Sequence, residues 1–440
     1  MPPEDLDSLD KEALKALVLE LFARLAALEA KLGVPPKTPD NSSLPPSSGQ
    51  KANVAEPTPE KKRRLGRPGV ARKLCENPDV THDIFAPTCA CGAALSEADQ
   101  PDAFAYDLID LPPIKPVTTR INLHRGKCPC CRKRVSAKSP AGMRPGSPFG
   151  PNIVALVTYL HACQMVSYSR LTEMLKSLYG LDISEGAIAN ILARTETPFA
   201  AKADEIAETV RTSDVIASDE TSARVKGKTH WQWAFVTATA VFHTIAATRG
   251  KAVPTAFLGD AKPKVWLSDR YGGQGKLGLA QQYCLAHLLR DAQYAIDCGD
   301  SVFAPGFKAF LKDACAVGRR RPDLADATIK AHARRLKHQL DRLLALEPTE
   351  FAGRRLRNAM DQDGRDKLLV FLTRRDIEPT NNASEQALRM SVIFRKVTNG
   401  FRSDWGAKVY ADIRSIVGTG RLHGRSAFAA IRAALAPATA

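Results

Sequence analysis

The sequence predicts a multidomain α+β protein, and three observations carry that expectation. At 440 residues the chain exceeds one ordinary core, so about two to four units are expected. A leucine-rich helix near the start is cut from the rest of the chain by Pro35 and Pro36. Between two stretches of helical period, 167–194 and 331–346, lies a block around Trp231–Thr248 that reads as two strands.

Hydrophobic residues make up 44% and charged residues 25%, the proportions of a water-soluble globular protein. The net charge of +16, with a pI near 9.4, is unusual and points to a polyanionic partner, nucleic acid or an anionic membrane surface. No stretch reads as a membrane span: the most apolar one carries Gln232, His243 and several threonines. The acidic start, MPPEDLDSLDKE, is not that of a secretory signal. A cytoplasmic protein with reduced cysteines is expected.

In the first helix Leu14, Val18, Leu21, Leu25, Leu28 and Leu32 alternate steps of four and three, an a/d seam that predicts a coiled coil pairing subunits. The alternative is an amphipathic helix docked on the chain's own core. The next stretch, rich in Pro, Ser and Asn, predicts a disordered linker. Its second half carries Lys61, Lys62, Arg63, Arg64, Arg67, Arg72 and Lys73, which the global charge favours as a phosphate-binding arm.

Six of the ten cysteines lie between Cys75 and Cys131. Cys89 and Cys91 in TCACGAAL and Cys128 and Cys131 in KCPCCRKR make two knuckles about 40 residues apart, a pattern suggesting one tetrahedral structural zinc. The first knuckle is one residue short of the usual spacing, so Cys75, Cys130, His82 and His124 stand as alternative ligands, and small buried thiols as the plain reading. Farther on, Leu171, Met174, Leu175 and Leu178 mark a helix ended by Gly180; Ser184 caps a second helix with Ile188, Ile191 and Leu192. That is the plan of a helix-turn-helix, though many helical hairpins share it.

Asp219 comes after the strand-like DVIAS, and Asp269 after KVWLS; both read as strand-end acids before a turn. Glu385 lies three places after Asn382 in PTNNASEQALR, which predicts a capping box with Asn382 as N-cap. Three acids together have a second reading: a carboxylate cluster that holds two Mg²⁺ (or Mn²⁺) ions for phosphoryl chemistry.

The stretches NSSLPPSS, the two knuckles, ASDETSARV, LSDRYGG, YCLAHLLRD, PTNNASEQALRMSVIFRKVTNGF and GAKVYADIRSIVGTGRLHG occur in this order over nearly the whole chain. In them the chain resembles a DDE transposase of the insertion-sequence-sixty-six family. The resemblance implies a ribonuclease-H-like catalytic domain with Asp219, Asp269 and Glu385 as the metal-binding triad. It further implies DNA cleavage at element ends and transfer of the 3′-hydroxyl into target DNA. An inactive or domesticated DNA-binding relative is the alternative.

The organisation expected on this basis is a coiled coil (1–34), a disordered basic linker (35–74), a zinc-binding module (75–136) and a helix-turn-helix-like helical domain (137–204). A catalytic domain (205–400) with a helical insertion at about 292–376 and a C-terminal helical segment (401–440) complete it. The partners implied are double-stranded DNA, namely the element's terminal inverted repeats and its target, a second copy of the chain, and accessory transposition proteins. The place implied is the bacterial nucleoid. Arg389, Arg395 and Lys396 join the basic arm as expected DNA contacts, with pairing to Glu385 as the alternative for Arg389. His287 and Arg290 either approach the site or the DNA, or pack their helix.

Overall fold

The computed structural model describes residues 11–31, 35–42, 72–140 and 146–436. Helix α1 (Lys11–Lys31) carries the heptad seam. Leu14, Val18, Leu21 and Leu25 are exposed along it, as are Leu19 and Phe22, so this face is not docked on the chain's own core. The Leu28 side chain and Leu32 lie outside the described residues, as do Lys61 to Arg64 and Arg67.

The linker expectation needs one correction. Residues 35–42 are not a free tether but are seated against the chain. Asn41 is 5% exposed, and its Nδ2 donates to Asp297 Oδ2 at 2.9 Å and to the Pro36 carbonyl at 3.2 Å. Its Oδ1 accepts the Thr38 N–H at 2.6 Å. A short polar motif with several mutual hydrogen bonds docks where composition alone predicts only solvation.

Each cysteine knuckle closes a tight turn. The first lies inside a bridge between Thr88 and Ala94; the second joins strands β1 (Arg125–Lys127) and β2 (Arg134–Ser136), which pair antiparallel. Helices α2 (Pro151–Ala162), α3 (Tyr168–Tyr179), α4 (Glu185–Arg194) and α5 (Glu196–Arg211) come next. Ser167 Oγ and Ser184 Oγ cap α3 and α4, and Gly180, at φ 62°, ends α3 in the left-handed conformation. Leu171, Leu175, Ile188, Ile191 and Leu192 bury against one another as their spacing predicts, whereas Leu178 faces solvent.

A five-stranded sheet positions the acids. Strands β3 (Val215–Val225), β4 (Lys228–Val236) and β5 (Val241–Ala246) are antiparallel neighbours; β6 (Val265–Ser268) and β7 (Ala280–Tyr283) extend the sheet beyond β3 in parallel. The spatial order is β5–β4–β3–β6–β7. Contrary to the strand-end reading of Asp219, β3 continues through it to Val225, because β4 pairs with it from Ala217 to Val225. The reversal falls at Lys226 and Gly227, with φ of 50° and 76°, the left-handed pair of a tight hairpin turn.

Helices cover both faces of the sheet, which accounts for the unbroken burial of β6. On one side α2, α5, α6 (Ala252–Leu258), α12 (Asp404–Leu422) and α13 (Ala427–Leu435) share a core with Trp233, Phe235 and Trp266. On the other, Val265, Leu267 and Tyr283 meet α7 (Leu285–Asp297), α8 (Ala304–Arg320), α9 (Asp326–Leu344) and α10 (Phe351–Ala359). The stretch from α7 to α11 (Asn382–Thr398) contains no strand. Arg321, 2% exposed, turns the chain back toward α11 by donating to the carbonyls of Phe371 at 2.6 Å and Arg375 at 2.8 Å. Among the described residues, no helix is long and apolar enough to cross a membrane.

The bare seam of α1 can be tested by truncation. Deleting residues 1–34 should lower the oligomeric state while leaving the far-ultraviolet spectrum of the remainder folded. Light scattering that returns an unchanged mass would remove the coiled coil as the pairing element.

Candidate active site

The parallel register brings two of the acids together. Val215 lies opposite Val265, Ile216 opposite Trp266 and Ala217 opposite Leu267; two residues beyond the last pair stand Asp219 and Asp269. Both therefore emerge at the carboxyl end of the parallel pair, where open α/β sheets place their ligands. Asp219 Oδ1 accepts the Glu220 N–H at 2.9 Å, and Asp269 Oδ1 accepts the Tyr271 N–H at 2.9 Å. The second oxygen of each makes no hydrogen bond among the described residues and stays available to a cation.

The third acid arrives on α11, and a buried asparagine brings it there. Asn381 is fully buried; its Nδ2 donates to the Ser218 carbonyl at 2.7 Å and its N–H to Cys284 Sγ at 3.1 Å. Its own carbonyl accepts the Glu385 N–H at 3.2 Å. In turn, the Cys284 N–H donates to the Ser268 carbonyl at 2.8 Å. Ser218, Ser268 and Asn381 precede Asp219, Asp269 and Glu385 by one, one and four residues.

This geometry overturns the predicted capping box. The N-cap is Asn381 rather than Asn382, and it forms no side-chain cap, because its carboxamide is committed to Ser218 and to the hydroxyl of Ser384. Glu385 sits one position too late to reach back to the cap, and its carboxylate turns instead toward His287, whose Nδ1 lies 3.7 Å from Glu385 Oε1. Arg389 is exposed one turn on and makes no ion pair with it.

The electrostatics are those of acids held against their preference. Burial, then repulsion from Glu220, Asp269 and Glu385, drives the Asp219 carboxyl well above the usual carboxylate range. Burial likewise lowers His287, outweighing the attraction of Glu385. Burial also pushes the Cys284 thiol up to about 11.

On the opposite face of β3 the structure shows a network that sequence reasoning missed. Glu220 is buried, accepting from Arg249 Nε at 2.7 Å and from Gln274 Nε2 at 2.6 Å. Gln274 accepts from Trp266 Nε1 at 3.2 Å, and Arg249 lies 3.9 Å above the Tyr271 ring. The loop that carries Asp269 is thus fastened at Tyr271 and Gln274. The adjacent acids of "SDET" are the one signal in the sequence; no spacing rule links them to Arg249 or Gln274.

Other expected site residues are placed elsewhere. The Cys91 backbone N–H, and after it the Cys91 thiol, lower Cys89 from the usual thiol range; the backbone N–H groups of Cys131 and Cys130, and after them the Cys131 thiol, do the same for Cys128. The two pairs do not converge on each other: among the described residues, the one His/Cys/Asp/Glu trio at metal-ligand spacing is Cys284, His287 and Glu385. Cys75 and Cys130 are exposed and stand outside such a group, as do His82 and His124. Arg395 is spent on the Ser222 carbonyl and hydroxyl, bracing α11 against β3. Lys396 is exposed on the same helix.

Asp219 sets a pH dependence. A carboxyl raised in the folded state holds its proton more tightly there than in the unfolded chain. Its stabilising contribution is complete below the ordinary carboxylate range and is lost as pH rises through the raised value. In a chelator at neutral pH, Asp219→Asn should melt a few degrees higher than the parent, and the gap should close as pH falls toward about 4. Calorimetry finding Asp219→Asn no more stable than the parent at pH 7 would contradict the burial and repulsion that raise this carboxyl.

Among curated proteins none matches the chain. The family model described as "Transposase IS66 family" matches residues 146–409, a span that contains all three acids, the sheet and the helices from α2 to the first turns of α12. With the model covering more than half of its length, the chain belongs to the IS66 family of transposases.

Proposed function

We propose that this chain is a DDE-type transposase that cuts DNA at the ends of its element and joins the freed 3′-hydroxyl to target DNA. The observation that carries the reading is the meeting of Asp219, Asp269 and Glu385 at the carboxyl end of the β3–β6 pair, bolted there by Asn381. The strand order, three antiparallel strands followed by two parallel ones, supports a ribonuclease-H-like reading of the sheet.

The donor set fits a hard divalent cation. Carboxylates crowded until one is driven toward protonation make a poor resting arrangement, and a good one once positive charge is shared among them. Asp219, Asp269 and Glu385 would hold two Mg²⁺ or Mn²⁺ ions, which supply activation of the attacking oxygen and stabilisation of the leaving oxygen. The protein's own part is placement. Asn381 fixes the Glu385 helix against β3, and the Glu220–Arg249–Gln274 network fixes the Asp269 loop, so the carboxylates need no rearrangement when phosphate arrives.

The appendages fit DNA handling. The α9 surface presents Arg334 and Lys337 to solvent, whereas Arg335 there is paired with Asp313. Arg334 and Lys337, with Arg389, Lys396 and the arm from Lys61 to Arg67, would be the cations that take phosphates. The α3–α4 pair would serve as a helix-turn-helix. A single zinc ion drawn between Cys89, Cys91, Cys128 and Cys131 would close the module before it; the two tight turns, each presenting a pair of cysteines, are the half-sites such an ion needs. An inactive DNA-binding relative has less support, because the triad is complete.

Glu385→Gln tests the chemistry. Glutamine keeps the helix and an oxygen but removes the charge that holds the cation. The variant should melt and bind DNA like the parent, yet cut element-end DNA in Mg²⁺ about 100-fold more slowly or worse, equivalent to about 2.7 kcal/mol in the barrier. Cleavage at the parental rate would take Glu385 out of the triad.

Affinity for DNA should fall steeply with salt, with a log–log slope of about −0.9 per phosphate contacted. Neutralising Lys61 to Arg64 together should make that slope shallower by about 3 to 4 if the arm lies on phosphates. An unchanged slope would assign the arm another role.

A further inference from the structure

Next to the acids lies a second donor set that shares Glu385 with them and adds two side chains, Cys284 and His287, that the cleavage chemistry does not use. Cys284 precedes the first turn of α7, His287 lies within that turn, and Glu385 faces them from α11. Their ligand atoms all lie within 4.8 Å of one another. The 3.7 Å between His287 Nδ1 and Glu385 Oε1 is too long for a hydrogen bond. It is close to the edge, about 3.4 Å, of a tetrahedron built on bonds of about 2.1 Å.

Nδ1 of His287 is also buried with no hydrogen-bond partner. Native structures rarely leave a ring nitrogen so, and an ion or a water is the usual occupant. The sulfur is prepared in a matching way. Cys284 Sγ already accepts the Asn381 N–H at 3.1 Å, the kind of outer hydrogen bond that supports a metal-bound thiolate.

We propose that Cys284, His287 and Glu385 form a three-ligand site for a thiophilic divalent cation of the Zn²⁺ class, with water as the fourth ligand. Sulfur and imidazole donors select such an ion over magnesium, which the Asp219–Asp269 side of the cluster suits. Binding of such an ion replaces the Cys284 thiol proton, which passes to solvent. Insofar as Glu385 serves the catalytic cluster, which rests on the function proposed above, the two kinds of cation compete for one carboxylate.

Cobalt(II) is the probe, because tetrahedral thiolate coordination gives it visible and near-ultraviolet absorption bands. The full chain would be titrated beside Cys284→Ser, His287→Gln and Cys128→Ser, with circular dichroism as the check on folding. Cys284→Ser and His287→Gln should each bind one equivalent at least about tenfold more weakly than the parent. Cys128→Ser should keep that equivalent. Equal stoichiometry, affinity and spectra in the parent, Cys284→Ser and His287→Gln overturn the site. If Cys284→Ser does not fold, His287→Gln decides by the same criterion. The result is separable from the cleavage reading: unchanged cobalt binding with loss of cutting in Glu385→Gln removes this site and leaves the triad. A lost cobalt equivalent with normal cutting in Glu385→Gln does the reverse.

Discussion

The carboxamide and backbone of Asn381 tie together three segments that are far apart in the chain. Nδ2 reaches the Ser218 carbonyl, the N–H reaches Cys284 Sγ, and the carbonyl takes the Glu385 N–H. Cys284 passes the connection to Ser268. Each acid of the cluster is thereby a short, rigid step from a common buried node. A buried amide left unpaired costs about 1–3 kcal/mol, so the node is stable only when all its partners are in place. It forms a single arrangement or none, which is what a metal-binding geometry demands.

The same closeness creates an electrostatic conflict. A chain with net charge +16 concentrates Asp219, Glu220, Asp269 and Glu385 within mutual influence, with Asp219 driven toward its neutral form. Glu220 is the one the protein pairs itself, with the Arg249 guanidinium and a hydrogen bond from the neutral Gln274 amide. The other three have no Lys or Arg partner among the described residues. That division, one acid paired internally and three left open, separates scaffold from site within two adjacent residues of one strand, because alternate side chains leave a strand on opposite faces.

Outside the sheet, two features of the N-terminal part have no partner among the described residues: the seam of α1 is exposed, and the two cysteine knuckles close separate tight turns. The seated segment at 35–42 is different, since Asn41 finds its partner, Asp297, on the helix that also bears His287. That anchor seats residues 35–42 at the last turn of α7, the end opposite Cys284 and His287.

Local period and local chemistry are the part that the sequence by itself determined. The heptad step, the helical faces around Leu171 and Ile188, the strands of Trp231–Thr248 and the helix at 331–346 all arise from the spacing of apolar residues. The three acids were legible because two come directly after short apolar runs and the third opens a helix. Contacts between distant residues are the part that only the tertiary structure decided. Strand β3 runs past Asp219 because β4 pairs with it, and Asn381 takes the N-cap position because Ser218, more than 160 residues earlier, claims its side chain. Glu220, Arg249, Gln274 and Cys284 carry no local pattern, since a buried polar group is defined by who surrounds it. Periodicity reports which face of an element is apolar; it cannot report which distant carbonyl an asparagine will find.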